Sequence, residues 1–224
     1  MKSLVFDTCF NKTYIVLSEN NKIIENVVIE SNEQNYHSAY LIPRLRDILI
    51  KNNILIKDID VMGIDIGPGS FTGIRAGITI ARVLAQQFNT KLVGVPSLEI
   101  LSKLNQGDNN TVVTTDARKN KVYFAKYKNG LEIVKPCLID KDELVSKISS
   151  DEYVITDRSI SAYLNENSVL NYCYEDNDSN IGIYLSEITN EYINNKSDDY
   201  NWAKVKPLYI QKPSITLPKA VKSV

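Results

Sequence analysis

The sequence predicts an α/β fold built from two related halves, the second a shortened copy of the first. Three observations predict it. A β-β-β-α-β-α-β-α order can be read along the first hundred or so residues, and a second three-strand run begins after the soft polar stretch 105–110. In addition, the first strand of each half ends in an Asp followed by a small residue, Asp7-Thr8-Cys9 and Asp116-Ala117-Arg118.

The elements follow in order. Residues 4–6, 13–17 and 23–29 are short runs rich in β-branched and apolar residues, broken by turn formers at 7–12 and 19–21, and predict an antiparallel meander. Residues 36–52 predict a helix with Leu41, Leu45, Ile48 and Leu49 on one face and Pro43 bending or delaying it. A buried strand at 59–66, a glycine-rich loop, an apolar helix through Phe88 and a strand at 91–95 come next, then a helix capped by Ser97. In the second half, 111–115, 122–127 and 131–138 repeat the meander, with Asn129-Gly130 as the hairpin turn. Asp140 is expected to cap a helix through Ile148, followed by a strand at 153–156 and, after a featureless stretch, a helix at 181–194. These elements divide the chain into units 1–106 and 107–212 and a basic tail, 213–224.

Composition narrows the classes of function. With 224 residues, 43% hydrophobic and 24% charged, the chain can bury a substantial core. A formal net charge of −1 provides no global pull toward nucleic acid or an anionic membrane, so contact with RNA would have to be indirect. Charge is uneven, with eleven acids against Arg158 and Lys196 over 151–199 and five lysines without an acid from Lys204 on. Cys9, Cys137 and Cys173 are too few and too scattered for a disulfide framework or a CxxC metal knuckle. Asp7 arrives too early for a secretory leader, and no apolar run reaches the ~20 residues of a membrane span. The expected compartment is the cytoplasm.

The most informative stretch is Gly67-Pro68-Gly69-Ser70-Phe71-Thr72-Gly73-Ile74-Arg75-Ala76-Gly77. One reading is an anion cradle: Gly69, Ser70 and Thr72 would sit at a helix start with free amides and a positive dipole end, with Ser70 and Thr72 as caps. Two departures weaken it. A P-loop needs Lys where Ile74 stands, and the glycines are spaced one residue too far for the dinucleotide fingerprint. The other reading is packing, because Gly73, Gly77, Ala81 and Ala85 recur every fourth residue and form a stripe of small side chains that lets another backbone approach. That backbone is either the chain's own sheet or a partner helix.

These residues resemble the TsaB (YeaZ) family of the actin, sugar-kinase and heat-shock-chaperone superfamily. The likeness is carried by Gly67–Arg75, by Leu4-Val5-Phe6-Asp7-Thr8, by His37-Ser38, by Val95-Pro96-Ser97-Leu98-Glu99, by Asp116-Ala117-Arg118-Lys119 with Val122-Tyr123, and by Pro207-Leu208-Tyr209-Ile210. The resemblance implies two RNase H-like (actin-like ATPase) subdomains. It also implies a role in forming N6-threonylcarbamoyladenosine at position 37 of tRNAs that read codons beginning with A. In that role the chain is a non-catalytic activator of a TsaD-like transferase, assisted by a TsaE-like ATPase, and a homodimer when TsaD is absent. No intrinsic cofactor is implied, though ATP or ADP and magnesium belong to the interface of the complex. Partner contact is expected on the two helices of the first half, at His37, Leu41, Leu45, Gly73, Gly77, Ile80, Ala81 and Leu84.

The residues bear on this independently. A His-x-x-x-His metal site needs two imidazoles, and His37 is the single histidine of the chain, with Leu41 four residues on. No Gly-x-Ser-x-Gly elbow is present, and Cys9 and Cys137 both adjoin expected strands with no basic cluster to lower their pKa. No catalytic residue is therefore assigned. The competing reading is a stand-alone ATPase or small-metabolite kinase, with Asp7 and Asp116 holding magnesium in a cleft between the halves and Arg118 beside it.

Overall fold

The computed structural model describes residues 1–30, 37–195 and 199–211, with the side chains of 37–39 outside that description. Strands β1 (Lys2–Asp7), β2 (Lys12–Glu19), β3 (Lys22–Glu30), β4 (Val61–Asp65) and β5 (Lys91–Val95) form one sheet in the order β3-β2-β1-β4-β5. β1 pairs antiparallel with β2, Leu4 opposite Leu17 and Val5 opposite Val16, and parallel with β4 on its other side. A second sheet, from β6 (Thr111–Asp116), β7 (Lys121–Lys128), β8 (Leu131–Asp140), β9 (Tyr153–Thr156) and β10 (Tyr172–Cys173), has the order β10-β9-β6-β7-β8. Each sheet is thus an antiparallel meander extended by two parallel strands, and the repeat of the meander is the one the sequence predicts.

Because successive side chains of a strand point to opposite faces, each sheet feeds two cores. On the first sheet Leu4, Phe6, Ile15, Leu17, Met62, Ile64 and Leu92 point to the layer made by α1 (His37–Lys51) and α2 (Phe71–Phe88). Val5, Tyr14, Val16, Val61, Val93 and Val95 point the other way, into a core completed by α3 (Ser97–Ser102), α5 (Ile181–Asn195) and the inner face of the second sheet, Val113, Ala125, Tyr127 and Ile155. The outer face of the second sheet, Val112, Val122, Phe124 and Val154, is covered by α4 (Arg158–Glu166) through Ile160 and Leu164, and by Leu144. The layers are α1/α2, first sheet, α5 with α3, second sheet, α4.

α5 is the element that joins the halves. Although it follows the second sheet in sequence, it lies across the first, against β1, β2, β4 and β5. Its approach is close enough that a side chain at Gly63 would strike Thr189, which explains a glycine in the middle of a buried strand.

Three local expectations need correction. Ser97 does not cap α3; Pro96 holds that position, and the Ser97 hydroxyl instead donates to Asp65 Oδ1 at 2.6 Å. Asp140 makes no side-chain cap. In place of a helix to Ile148 the chain makes two 3-10 turns, Lys141–Glu143 and Val145–Lys147, because buried Leu144 anchors the segment and Ile148 is already extended toward β9. Finally, α4 and β10 were not expected. The signal for α4 was present: Asp157 accepts the Ile160 amide at 2.9 Å as N-cap, and Ile160 and Leu164 have helical spacing.

Candidate functional site

The glycine loop connects β4 to α2 over the carboxyl end of β1. Its Gly67–Pro68 peptide is cis, and the Ser70 amide donates to the Cys9 carbonyl at 2.8 Å. Ser70 caps α2 as expected, accepting the Gly73 amide at 3.2 Å, whereas Thr72 lies within the first turn with its side chain exposed. The small stripe faces inward. Thr8 Oγ1 donates to the Gly73 carbonyl at 2.7 Å, and a side chain on Gly73 would collide with the Thr8 carbonyl. Gly77 rests on Thr8 and Ile64, while Ala81 and Ala85 are fully buried. The backbone that the stripe lets close is therefore the chain's own, at Thr8 just beyond β1, and Gly73, Gly77 and Ala81 present nothing outward.

Beneath the loop lies a group of acids. Asp7, at the end of β1, and Asp65, at the end of β4, are both fully buried, and one carboxylate oxygen of each and Cys9 Sγ lie within 4.8 Å of one another. Asp7 Oδ1 accepts the Cys9 amide at 2.7 Å; Asp65 Oδ1 accepts the Gly67 amide at 2.7 Å and the Ser97 hydroxyl. Burial, reinforced by the neighbouring Asp65, raises Asp7 far above the ordinary carboxylate range, and burial pushes Asp65 up to about 6. The Cys9 thiol is raised by the same burial and by both acids, the reverse of what activates a nucleophile.

This geometry does not fit a magnesium shared by Asp7 and Asp116. Asp7 offers no oxygen to solvent, whereas Asp116 is exposed and accepts the Arg118 amide at 2.9 Å. Between them the two halves are tied directly: Asn11 donates to Glu175 at 2.6 Å, Lys12 pairs with Asp178 at 3.0 Å, and the Phe10 ring meets Tyr174 edge-on at 5.5 Å. Arg118, expected beside an anion, is exposed and begins a run of three left-handed residues with Lys119 and Asn120.

The outward side of the α1/α2 layer has a different character. Leu41 and Leu45, expected at a partner interface, are buried in the chain's own core. Ile80 and Leu84 are half-buried on the flank of α2, and His37 begins α1 with its side chain outside the described residues. What the layer exposes is Ile42 (58%), Ile50 (60%) and Val83 (58%), together with Phe71 and Phe88. Beside them the chain's last described segment returns to the loop. The Leu208 amide donates to the Ile66 carbonyl, Arg75 Nε donates to the Tyr209 hydroxyl at 2.8 Å, and the Arg75 guanidinium lies 3.8 Å from the Phe71 ring centre. This contact was missed in the sequence, where only the i, i+4 spacing of Phe71 and Arg75 hints at it.

Comparison with known proteins agrees with the fold and the motifs. The chain is 34% identical over 102 residues to an uncharacterized protein of Mycobacterium tuberculosis (strain H37Rv), covering 46% of this chain and 47% of that one. It is 29% identical over 137 residues to the tRNA threonylcarbamoyladenosine biosynthesis protein TsaB of Escherichia coli K12, covering 58% of each. The chain thus spans about half the length of the curated relatives it matches. The solved structure of YeaZ from Pseudomonas aeruginosa superimposes with a TM-score of 0.73 over 93% of this chain and 99% of that one at 17% identity, which shows a shared fold. A family model described as TsaD, tRNA N6-adenosine threonylcarbamoyltransferase, matches residues 22–171, or 150 of the 224. With two thirds of its length under that model, the chain belongs to the TsaD tRNA N6-adenosine threonylcarbamoyltransferase family.

Proposed function

We propose that the chain is a non-catalytic partner subunit in the formation of N6-threonylcarbamoyladenosine on tRNA, activating a TsaD-like transferase by docking on it through the outward face of α1 and α2. The observation that carries this reading is the set of exposed apolar side chains on α1 and α2, Ile42, Ile50, Val83 and Phe88. The inward stripe supports it indirectly. By seating α2 directly on Thr8 and β4, Gly73 and Gly77 hold the outward residues on a rigid base, which lowers the ordering cost of association. A single histidine is insufficient for the two-imidazole metal site of a catalytic relative. In this reading a TsaE-like ATPase joins the complex, with ATP or ADP and magnesium at its interface. The same face pairs two copies when TsaD is absent, tRNA is reached only through the transferase, and the protein works in the cytoplasm. No helix among the described residues is long and apolar enough to cross a membrane.

Reconstitution of the modification with purified transferase and tRNA, with and without this chain, tests the role: product is expected only with it, and equal product without it overturns the reading. Val83→Asp tests the surface. Its fold is expected to survive, because Val83 is exposed, while affinity for the transferase falls by about 2 kcal/mol, roughly thirtyfold. Unchanged affinity would move the interface elsewhere.

A further inference from the structure

We propose that Asp7 and Asp65 share a single proton and so form a pH-sensitive clasp holding the Gly67–Ser70 loop shut over the end of the first sheet. Both carboxyl groups are fully buried. Each Oδ1 has its donors, the Cys9 amide on Asp7 and the Gly67 amide and Ser97 hydroxyl on Asp65. Oδ2 of each is buried with no donor from any described group, and one carboxylate oxygen of Asp7 lies within 4.8 Å of one of Asp65. Orphaned acceptors on two carboxyl groups this close are both satisfied by one proton, carried on Oδ2 of one acid and donated to Oδ2 of the other. Like charges at this depth cannot both persist, so one acid stays neutral.

The surroundings offer no basic group in the proton's place. Cys9 is a thiol that donates to the Asp65 carbonyl at 3.4 Å and is itself held protonated. β2 contributes the Tyr14 phenol, opposite Asp7 in register, and the turn after β10 contributes the Tyr174 phenol, both acids. α3 contributes the Ser97 hydroxyl, and α2 meets this end of β1 through Gly73 and Gly77. The nearest lysine on β2, Lys12, is turned to Glu30 and Asp178 at 3.0 Å each.

Loss of the shared proton leaves two adjacent negative charges under the loop, and relief requires water to enter by lifting it. The loop's ties are the ones at stake, since the Gly67 amide is bound to Asp65 and the Ser70 amide to the Cys9 carbonyl. The sign follows from proton counting. The folded chain keeps a proton that unfolded aspartates release near pH 4, so stability falls as pH rises from there through the pair's own titration and levels off above it.

Asp65→Asn is the informative variant. Its amide oxygen can keep the Gly67 and Ser97 bonds while its Nδ2–H replaces the shared proton toward Asp7. In urea unfolding of the full chain from pH 4.5 upward, the unfolding constant of the wild type is expected to rise relative to that of Asp65→Asn by up to about tenfold per pH unit across the titration. Parallel pH profiles would overturn the proposal. If the variant does not fold, carboxyl carbon NMR of the wild type decides: one aspartate of the pair must remain protonated after the exposed aspartates have ionised, and ordinary titration of both sinks the clasp. One equivalent of divalent metal per chain, lost in Asp65→Asn, would also overturn it, because a cation would then fill the gap.

Discussion

In the first sheet the central strand β1 ends at Asp7, sealed under the glycine loop. In the second, the matching strand β6 ends at Asp116, in solvent. The local chemistry is the same, each carboxylate accepting the amide two residues on, Cys9 in one half and Arg118 in the other. The acid beyond the neighbouring parallel strand differs more. Asp65 lies close to Asp7 and keeps one orphaned oxygen, whereas Asp157 spends one oxygen on the Asp116 amide and the other on the Ile160 amide as the cap of α4. One strand-end turn thus becomes a buried acid pair or an ordinary helix start, depending on what covers it.

The comparison can be broken at three points. Leu185→Ala in α5, between the sheets, is expected to cost about 4 kcal/mol and to lower hydrogen-exchange protection in both sheets, while Leu164→Ala in α4 should cost a similar amount and expose only the second. Equal loss from both sheets in the two variants would show that the halves unfold as one unit. Next in size is Gly73→Ala, expected to cost about 3 kcal/mol in urea unfolding because its methyl meets the Thr8 carbonyl, whereas Ala162→Leu on the exposed side of α4 should change stability by less than about 0.5 kcal/mol. A tolerated Gly73→Ala would mean that α2 is not seated on Thr8. The smallest effect compares caps: Ser70→Ala and Asp157→Ala should each cost about 1 kcal/mol, with Asp157→Ala the larger because it also leaves the Asp116 amide unpaired. A larger loss at Ser70 would reverse that order.

Much of the fold was legible because period-2 apolar runs and turn residues are local signals. The meanders, β4, β5, β9, α2 and α5 are of this kind. α4 was passed over although Asp157, Ile160 and Leu164 marked it, and the 3-10 turns after Asp140 were not legible because Ile148 turns extended to reach β9. At the candidate site, the small stripe of Gly73, Gly77 and Ala81 was visible, but the direction it faced was not. A four-residue repeat defines a helix face and says nothing about which neighbour that face meets.

By itself the sequence determined the duplicated α/β order, the capped helix after the glycine loop and the lack of a second histidine, all properties of adjacent residues or of composition. Only the tertiary structure decided that α5 crosses back to the first sheet, that the stripe packs on Thr8 and leaves Ile42, Ile50 and Val83 outward, and that Asp7 meets Asp65. Asp7 and Asp65 stand 58 residues apart in the chain, and their meeting depends on the parallel pairing of β1 with β4 and on the loop that shuts out water, neither of which any local pattern specifies.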